Sequence, residues 1–288
     1  MRTYLSLALA SLLFFTLLFA LAKTRKPSEP PLEGCYDKCA FKHEFVLAQA
    51  NTIYGFSLLD PEQAPPDIRD SVMRGYRLIM NTPFYAPNYA HDQLSCTNCH
   101  FVGGDTLGGR NNGISLVGVT TEYPSYSKRD GKVITLADRI NNCFQRSMNG
   151  NPLPKDSQEM HDILTYLHWI SKEVEHLKDI PWLGLQFLKS KHNPDPKKGE
   201  ELYHHYCASC HRQDGDGGGM LIEEDGKTIP PLWGSNSFND GAGMNRLDML
   251  ASFIYWNMPY QNSVLTEEQA LDIASFIRKQ PRDHFEKK

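Results

Sequence analysis

Two five-residue runs in this 288-residue chain share one pattern: Cys96-Thr97-Asn98-Cys99-His100 and Cys207-Ala208-Ser209-Cys210-His211. That pattern carries the attachment chemistry of c-type haem. The two thiols add across the porphyrin vinyl groups, and the adjacent imidazole becomes the proximal ligand of the iron. A lone Cys-x-x-Cys would leave a redox dithiol or half a zinc site open. Two copies, each closed by a histidine, point to two covalently bound haems.

Each iron also takes a distal ligand, and its identity separates an electron carrier from an enzyme. In the second half the candidate is Met258, in Trp256-Asn257-Met258-Pro259-Tyr260, with Met244 as the runner-up. A thioether stabilises ferrous iron and raises the potential, as suits an electron exit. The first half offers two soft donors. Met148 corresponds to Met258 by internal repeat, while Cys143 lies five residues earlier and would supply a thiolate that favours ferric iron. A buried free thiol is the structural alternative for Cys143.

The seven cysteines leave three outside the haem motifs. Cys35 and Cys39, with no histidine directly after Cys39, suit a local disulfide in an oxidising compartment. Cys143 is then an odd thiol in an exported chain. Export follows from the N-terminus: Tyr4 to Ala22 carries no charge and is flanked by Arg2 and by Lys23, Arg25 and Lys26. The segment reads as a signal peptide or a retained membrane anchor over 1–22, and either places the remainder in the periplasm. A formal net charge of −4 argues against nucleic-acid binding.

The elements that must position these groups recur in both halves. A Pro- and charge-rich tether covers 23–39, one haem unit 40–175, a linker 176–192 and a second haem unit 193–288. Asp195 caps a helix with Pro196 in its first turn, leading into Cys207. Asp70 to Met80 offers the upstream equivalent. Each half closes with an amphipathic helix. One has a Thr266–Gln269 capping box and an apolar stripe of Ala270, Ile273, Ala274 and Ile277. The other has an Asp156–Glu159 box and a stripe of Met160, Ile163, Leu164 and Leu167. No run shows strand alternation, and Val117 to Thr120 is too short to count. The fold class is therefore all-α, two cytochrome c-like domains with one haem each. The glycine-rich loops Gly103–Gly113 and Gly215–Gly219 suit a chain folded closely around a porphyrin edge.

The segment Asp138 to Leu153, Asp-Arg-Ile-Asn-Asn-Cys-Phe-Gln-Arg-Ser-Met-Asn-Gly-Asn-Pro-Leu, resembles the cysteine-bearing segment of the dihaem thiosulfate dehydrogenases. Tyr123-Pro124-Ser125-Tyr126, Pro230-Pro231-Leu232-Trp233-Gly234 and Phe238 to Met244 resemble the same family, and the likeness spans about 75 to 288. That resemblance implies two all-α cytochrome c domains. It also implies thiosulfate as substrate, tetrathionate as product (with the reverse reduction in some members), and Cys143 as both ligand of the first haem and participant in the sulfur chemistry. Some relatives carry a lysine directly before the methionine of the second haem. Here that residue is Asn257, which favours plain Met258 ligation.

Two thiosulfate dianions repel each other; like unit charges at about 4 Å cost about 4 kcal/mol at an effective dielectric of 20. Arginine offers planar paired donors and a permanent charge against that repulsion. Arg139, Arg146 and the Ser147 hydroxyl share one face with Cys143 if the segment is helical throughout, and Arg129 and Lys132 add charge from the preceding loop. The expected reaction joins one thiosulfate sulfur to Cys143 as electrons leave. A second thiosulfate then attacks to form tetrathionate, and the Met258 haem delivers electrons to an acceptor cytochrome. Two rival readings remain. One is a haem–thiolate subunit that loads a carrier protein's cysteine. The other is a dihaem electron shuttle with Met148 and Met258 as its distal ligands.

Overall fold

Helix α1 (Arg69–Met80) forms because Val72, Gly75, Leu78 and Ile79 fall on one buried face. The computed structural model describes residues 58–90, 94–176, 184–217, 221–222 and 227–286, all within one compact unit. The uncharged N-terminal segment, the tether with Cys35 and Cys39, and His91 lie outside the described residues. Among the described residues no helix is long and apolar enough to cross a membrane.

After the short α2 (Thr82–Tyr85) come the first haem motif and a hairpin of β1 (Ser125–Ser127) and β2 (Lys132–Ile134). Helix α3 (Leu136–Asn142) runs straight into a single π-helical turn, Cys143–Ser147. Helix α4 (Gln158–Ile170) closes the half. The second half runs through α5 (Pro196–Tyr206), α6 (Ala208–His211), a hairpin of β3 (Leu221–Ile222) and β4 (Lys227–Thr228), α7 (Leu247–Asn257) and α8 (Glu267–Lys279). The described chain is thus mostly helical with two small hairpins. Strands of two or three residues are too short to write a period into the sequence, so they escape an all-α reading.

Most of the expected helix ends are observed. Asp195 accepts from the Lys197 and Lys198 amides at the start of α5, and Thr266 with Gln269 forms the reciprocal box of α8. In α4 the cap falls one residue later than expected. The Ser157 hydroxyl, on an extended residue, accepts from Met160 N at 3.2 Å, so Ser157 replaces the Asp156–Glu159 box. A box unnoticed in the sequence, Thr135 with Asp138, starts α3 and thereby sets the approach to Cys143.

In each half the entry helix crosses the closing helix at a glycine. A Cβ on Gly75 would stand 2.1 Å from the Asp162 carbonyl oxygen, and one on Gly199 would stand 2.0 Å from that of Asp272. The same aspartates bind the neighbouring chain through their carboxylates. Asp162 accepts from Arg74 Nε at 2.7 Å and Ser71 Oγ at 2.5 Å; Asp272 meets His192 Nε2 at 2.7 Å and Asp195 N at 2.8 Å. The apolar stripes expected on α4 and α8 are buried, with Leu164 only partly so.

Each half has its own apolar core, yet Phe101, directly after the first haem histidine, belongs to the second. Its ring meets Phe253 and Tyr260 edge-on, with centroids 6.0 and 5.4 Å apart. Beside it the fully buried Asn257 accepts from Gly113 N at 2.9 Å and donates to Phe253 O at 3.1 Å. From the linker region, Leu185 and Leu188 pack on the second core, and Gln186 O accepts from Trp256 Nε1.

We predict that Gly199→Ala, by inserting a methyl into the α5–α8 crossing, destabilises the protein by about 1–3 kcal/mol. Thermal unfolding checks this through a lowered midpoint.

Candidate functional site

The two haem motifs are held alike. His100 Nδ1 donates to Ile114 O at 2.9 Å and His211 Nδ1 to Pro230 O at 3.0 Å. With Nδ1 engaged, Nε2 is the ring nitrogen left to face a metal, and the tautomer is set. Burial pulls the His100 pKa down to about 4 and lowers that of His211, so both imidazoles are neutral, the form that binds iron. Burial pushes the Cys96, Cys99 and Cys207 thiols up to about 12 in the chain without haem. Two backbone-oriented imidazoles, each beside a thiol pair, fit two covalent haems. Two glycines make room for the close turns beside them. Gly113 (φ +69°) has no space for a Cβ against Cys99 O, and Gly215 (φ +69°) none against Trp233.

Cys143 lies at the first of these sites, near enough to raise the Cys96 and Cys99 thiols electrostatically, as Arg139 lowers His100. Arg139 Nη1 donates to Cys143 Sγ at 2.8 Å. The Arg139 guanidinium also hydrogen-bonds Tyr123, and the Cys143 sulfur is the largest influence raising its pKa. Arg139 and Cys143 are four residues apart, at the end of α3 where helical spacing still brings i and i+4 together.

Past Cys143 the α-helical expectation no longer applies. Met148 N donates to Cys143 O at 2.9 Å, an i+5 bond that widens the turn. The Arg146 side chain, only 6% exposed, is directed to Asp130, with Nη2 to Oδ1 at 2.9 Å, and its guanidinium lies 4.6 Å from the Phe285 ring centroid. Its Nε and Nη1 have no hydrogen-bond partner. Ser147 is half-buried, and among the described residues its hydroxyl has no hydrogen-bond partner. Arg129 sits exposed at the hairpin rim, with Nη1 donating to Gly241 O at 3.1 Å.

Arg129 senses the other two arginines. Desolvation, then Arg146 and Arg139, lower the Arg129 pKa. Three guanidiniums against the Asp130 carboxylate and the Cys143 sulfur leave the surround net positive, a setting that favours a small anion. Asp130 was invisible as a site residue in the sequence, where an aspartate in a turn carries no special signal. Burial pushes its carboxyl up, but hydrogen bonds from Ser127, Arg146 and Asn142 prevail and hold it at about 2.

The methionines differ between the halves. Met148 is 3% exposed within the first core. Met258 follows the end of α7, half-buried against the second core, while Met244 is buried within that core. His204 and His205 are exposed.

A SoxA/TsdA cytochrome c domain family matches residues 84–175, and a family described as cytochrome c oxidase, cbb3-type, subunit III matches 194–277. Thiosulfate dehydrogenase of Allochromatium vinosum is 38% identical over 219 residues, covering 75% of this chain and 80% of that protein. Thiosulfate dehydrogenase of Thiomonas intermedia is 35% identical over 227 residues, covering 77% and 70%. The solved structure of thiosulfate dehydrogenase (TsdBA) from Marichromatium purpuratum, in its as-isolated form, superposes with a TM-score of 0.70 at 30% identity. The match covers 82% of this chain and 52% of that one, so the chain spans about half of that protein.

Asp130→Asn leaves the Arg146 charge buried without a counterion, and we predict a loss of about 3–5 kcal/mol in stability. The ion pair's contribution is present above the unfolded carboxylate pKa of about 3.9 and is lost as pH falls through about 2. Denaturant unfolding from pH 7 down to pH 2 checks both statements, because the variant loses that part of the acid dependence.

Proposed function

The chain belongs to the thiosulfate dehydrogenase family, and from that premise we propose that it interconverts two thiosulfates and tetrathionate at the Cys143 site. The observation that carries this reading is the Arg139–Cys143 hydrogen bond at the edge of the first haem motif. A sulfur that is to meet both a metal and a sulfur substrate needs a cation beside it and an anion-binding surround. Arg139, Arg129 and Arg146 supply both.

Arg139 and Arg129 bind the sulfonate oxygens of thiosulfate and direct its terminal sulfur toward Cys143 Sγ. Arg146, fixed by Asp130, holds positive charge at the base of the site, and Ser147 offers a free hydroxyl donor. Haem, when bound, supplies one-electron oxidation and carries the electrons away. The Cys143 sulfur forms a bond to the terminal sulfur of the first thiosulfate with loss of two electrons, which haems held by His100 and His211 would accept. The terminal sulfur of the second thiosulfate attacks that bonded sulfur, forming the central bond of tetrathionate and releasing the Cys143 thiolate. Both steps balance in atoms and charge, and tetrathionate reduction is the same sequence reversed.

His100 and Cys143 are the ligands we assign to the first iron, and His211 and Met258 to the second. The placement of Met148 within the first core supports Cys143 over the methionine, and so supports an enzyme over a two-methionine shuttle. A haem held by His211 and Met258 would pass electrons on to a cytochrome acceptor through a small transient contact. The charge-free segment Tyr4–Ala22 supports a periplasmic location, reached by a signal peptide or held by an anchor.

Cys143→Gly is expected to abolish thiosulfate oxidation while both haems stay attached; full activity in that variant would overturn the reading. Arg139→Gln removes a charge-assisted bond worth about 1.5–3 kcal/mol, and kcat/KM for thiosulfate should fall roughly 10- to 100-fold in steady-state assays.

A further inference from the structure

The last carbonyls of a helix have no partner within it and must be satisfied from elsewhere. In the turn that carries Cys143, four of the five carbonyls are bonded from outside the turn. Cys143 O accepts from Met148 N at 2.9 Å and Phe144 O from Gly150 N at 2.8 Å, both within the first half. The Gln145 and Arg146 carbonyls are served by one residue of the second half. Asn239 donates its backbone N–H to Arg146 O at 3.1 Å and its Nδ2 to Gln145 O at 2.8 Å.

Asn239 is 2% exposed, and its side chain is fully committed. Nδ2 also donates to Asn149 Oδ1 at 2.9 Å, and Oδ1 accepts from Gly241 N at 3.2 Å. The direction of these bonds is fixed by the neighbours. Asn149 Nδ2 is turned outward to Ser235 O and Asp283 Oδ2, so its oxygen must face Asn239. An amide fits there. A carboxylate would set an acceptor against two acceptors. The same loop presents Gly241 O to Arg129, and the C-terminal Phe285 covers the Arg146 guanidinium.

We propose that Asn239 is a positioning residue for the reacting sulfur: the second haem half, beyond carrying electrons, holds the π turn that aims Cys143. A lone π turn is an uncommon geometry found frequently at functional sites, and here two of its carbonyls are bonded from the other half. This proposal rests on the reading of Cys143 as haem ligand and reacting group. It makes the two halves interdependent for chemistry, so that the first half's site is incomplete without the segment Phe238–Gly241.

The test uses the full chain with both haems attached and two variants, Asn239→Asp and Asn239→Ser. The readouts are haem content, the ferric electron paramagnetic resonance spectrum, the methionine-ligation absorbance of the second haem, and kcat and KM for thiosulfate. Both variants should alter the thiolate-type low-spin signal of the first haem and leave the second haem's signature in place. kcat should fall by about 100-fold, the scale of a 1 Å misplacement, with a much smaller change in KM. If the aspartate variant does not fold, the smaller serine variant decides the matter. A wild-type signal and wild-type kcat in Asn239→Ser would overturn the role of Asn239. A wild-type protein without any thiolate signal would overturn the ligand assignment instead. The kcat of Asn239→Ser then still decides whether the brace serves the reaction: a fall supports it and no change overturns it.

Discussion

A guanidinium held 2.8 Å from a thiol sulfur is the contact on which the rest of the site depends. Cysteine beside a metal site is a strong soft donor, and a thiolate there needs a nearby positive charge to be stable in a partly buried place. Arg139 provides that charge from one helical turn away. The position of Arg139 follows from the Thr135–Asp138 cap that starts its helix. The direction of Cys143 follows from the π turn that ends it. Sequence-local features therefore set the pair, and longer-range contacts keep it in place.

Those longer-range contacts run in both directions between the halves. The first half sends Phe101 into the second core and receives Asn257 on Gly113, next to the loop that orients His100. The second half sends Asn239, Gly241 and Phe285 to the arginine–cysteine site. A two-electron reaction served by two one-electron groups gains from such interlocking, because the groups are held at a fixed separation. Asn257 illustrates the point. Its amide is consumed by two backbone bonds, so it braces the chain just before Met258.

Much of this architecture was legible in the sequence. The paired Cys-x-x-Cys-His runs are short-range chemistry and read directly. The helices α5 and α8 announce themselves through Asp195 and Thr266, and the closing stripes through their spacing. Three features were not legible, each for a physical reason. The hairpins are too short to show alternation. The π turn has no compositional mark, so Arg146 and Ser147 were placed on a common face with Cys143 by assuming ordinary helical spacing. Asp130 and Asn239 act across long sequence separations, where a polar residue in a loop looks like any other. The glycine–aspartate crossings repeated in the two halves, Gly75 with Asp162 and Gly199 with Asp272, were hidden likewise until the helices were seen to touch.

The central proposal is an asymmetry: a haem at His100 would meet Cys143 among arginines, and a haem at His211 would meet a methionine. Electron paramagnetic resonance of the fully oxidised protein tests this most directly. The account predicts one low-spin ferric centre with a thiolate signature that vanishes in Cys143→Gly, alongside a histidine–methionine centre that the substitution does not disturb. Two histidine–methionine centres in the unmodified protein, insensitive to loss of Cys143, would contradict it.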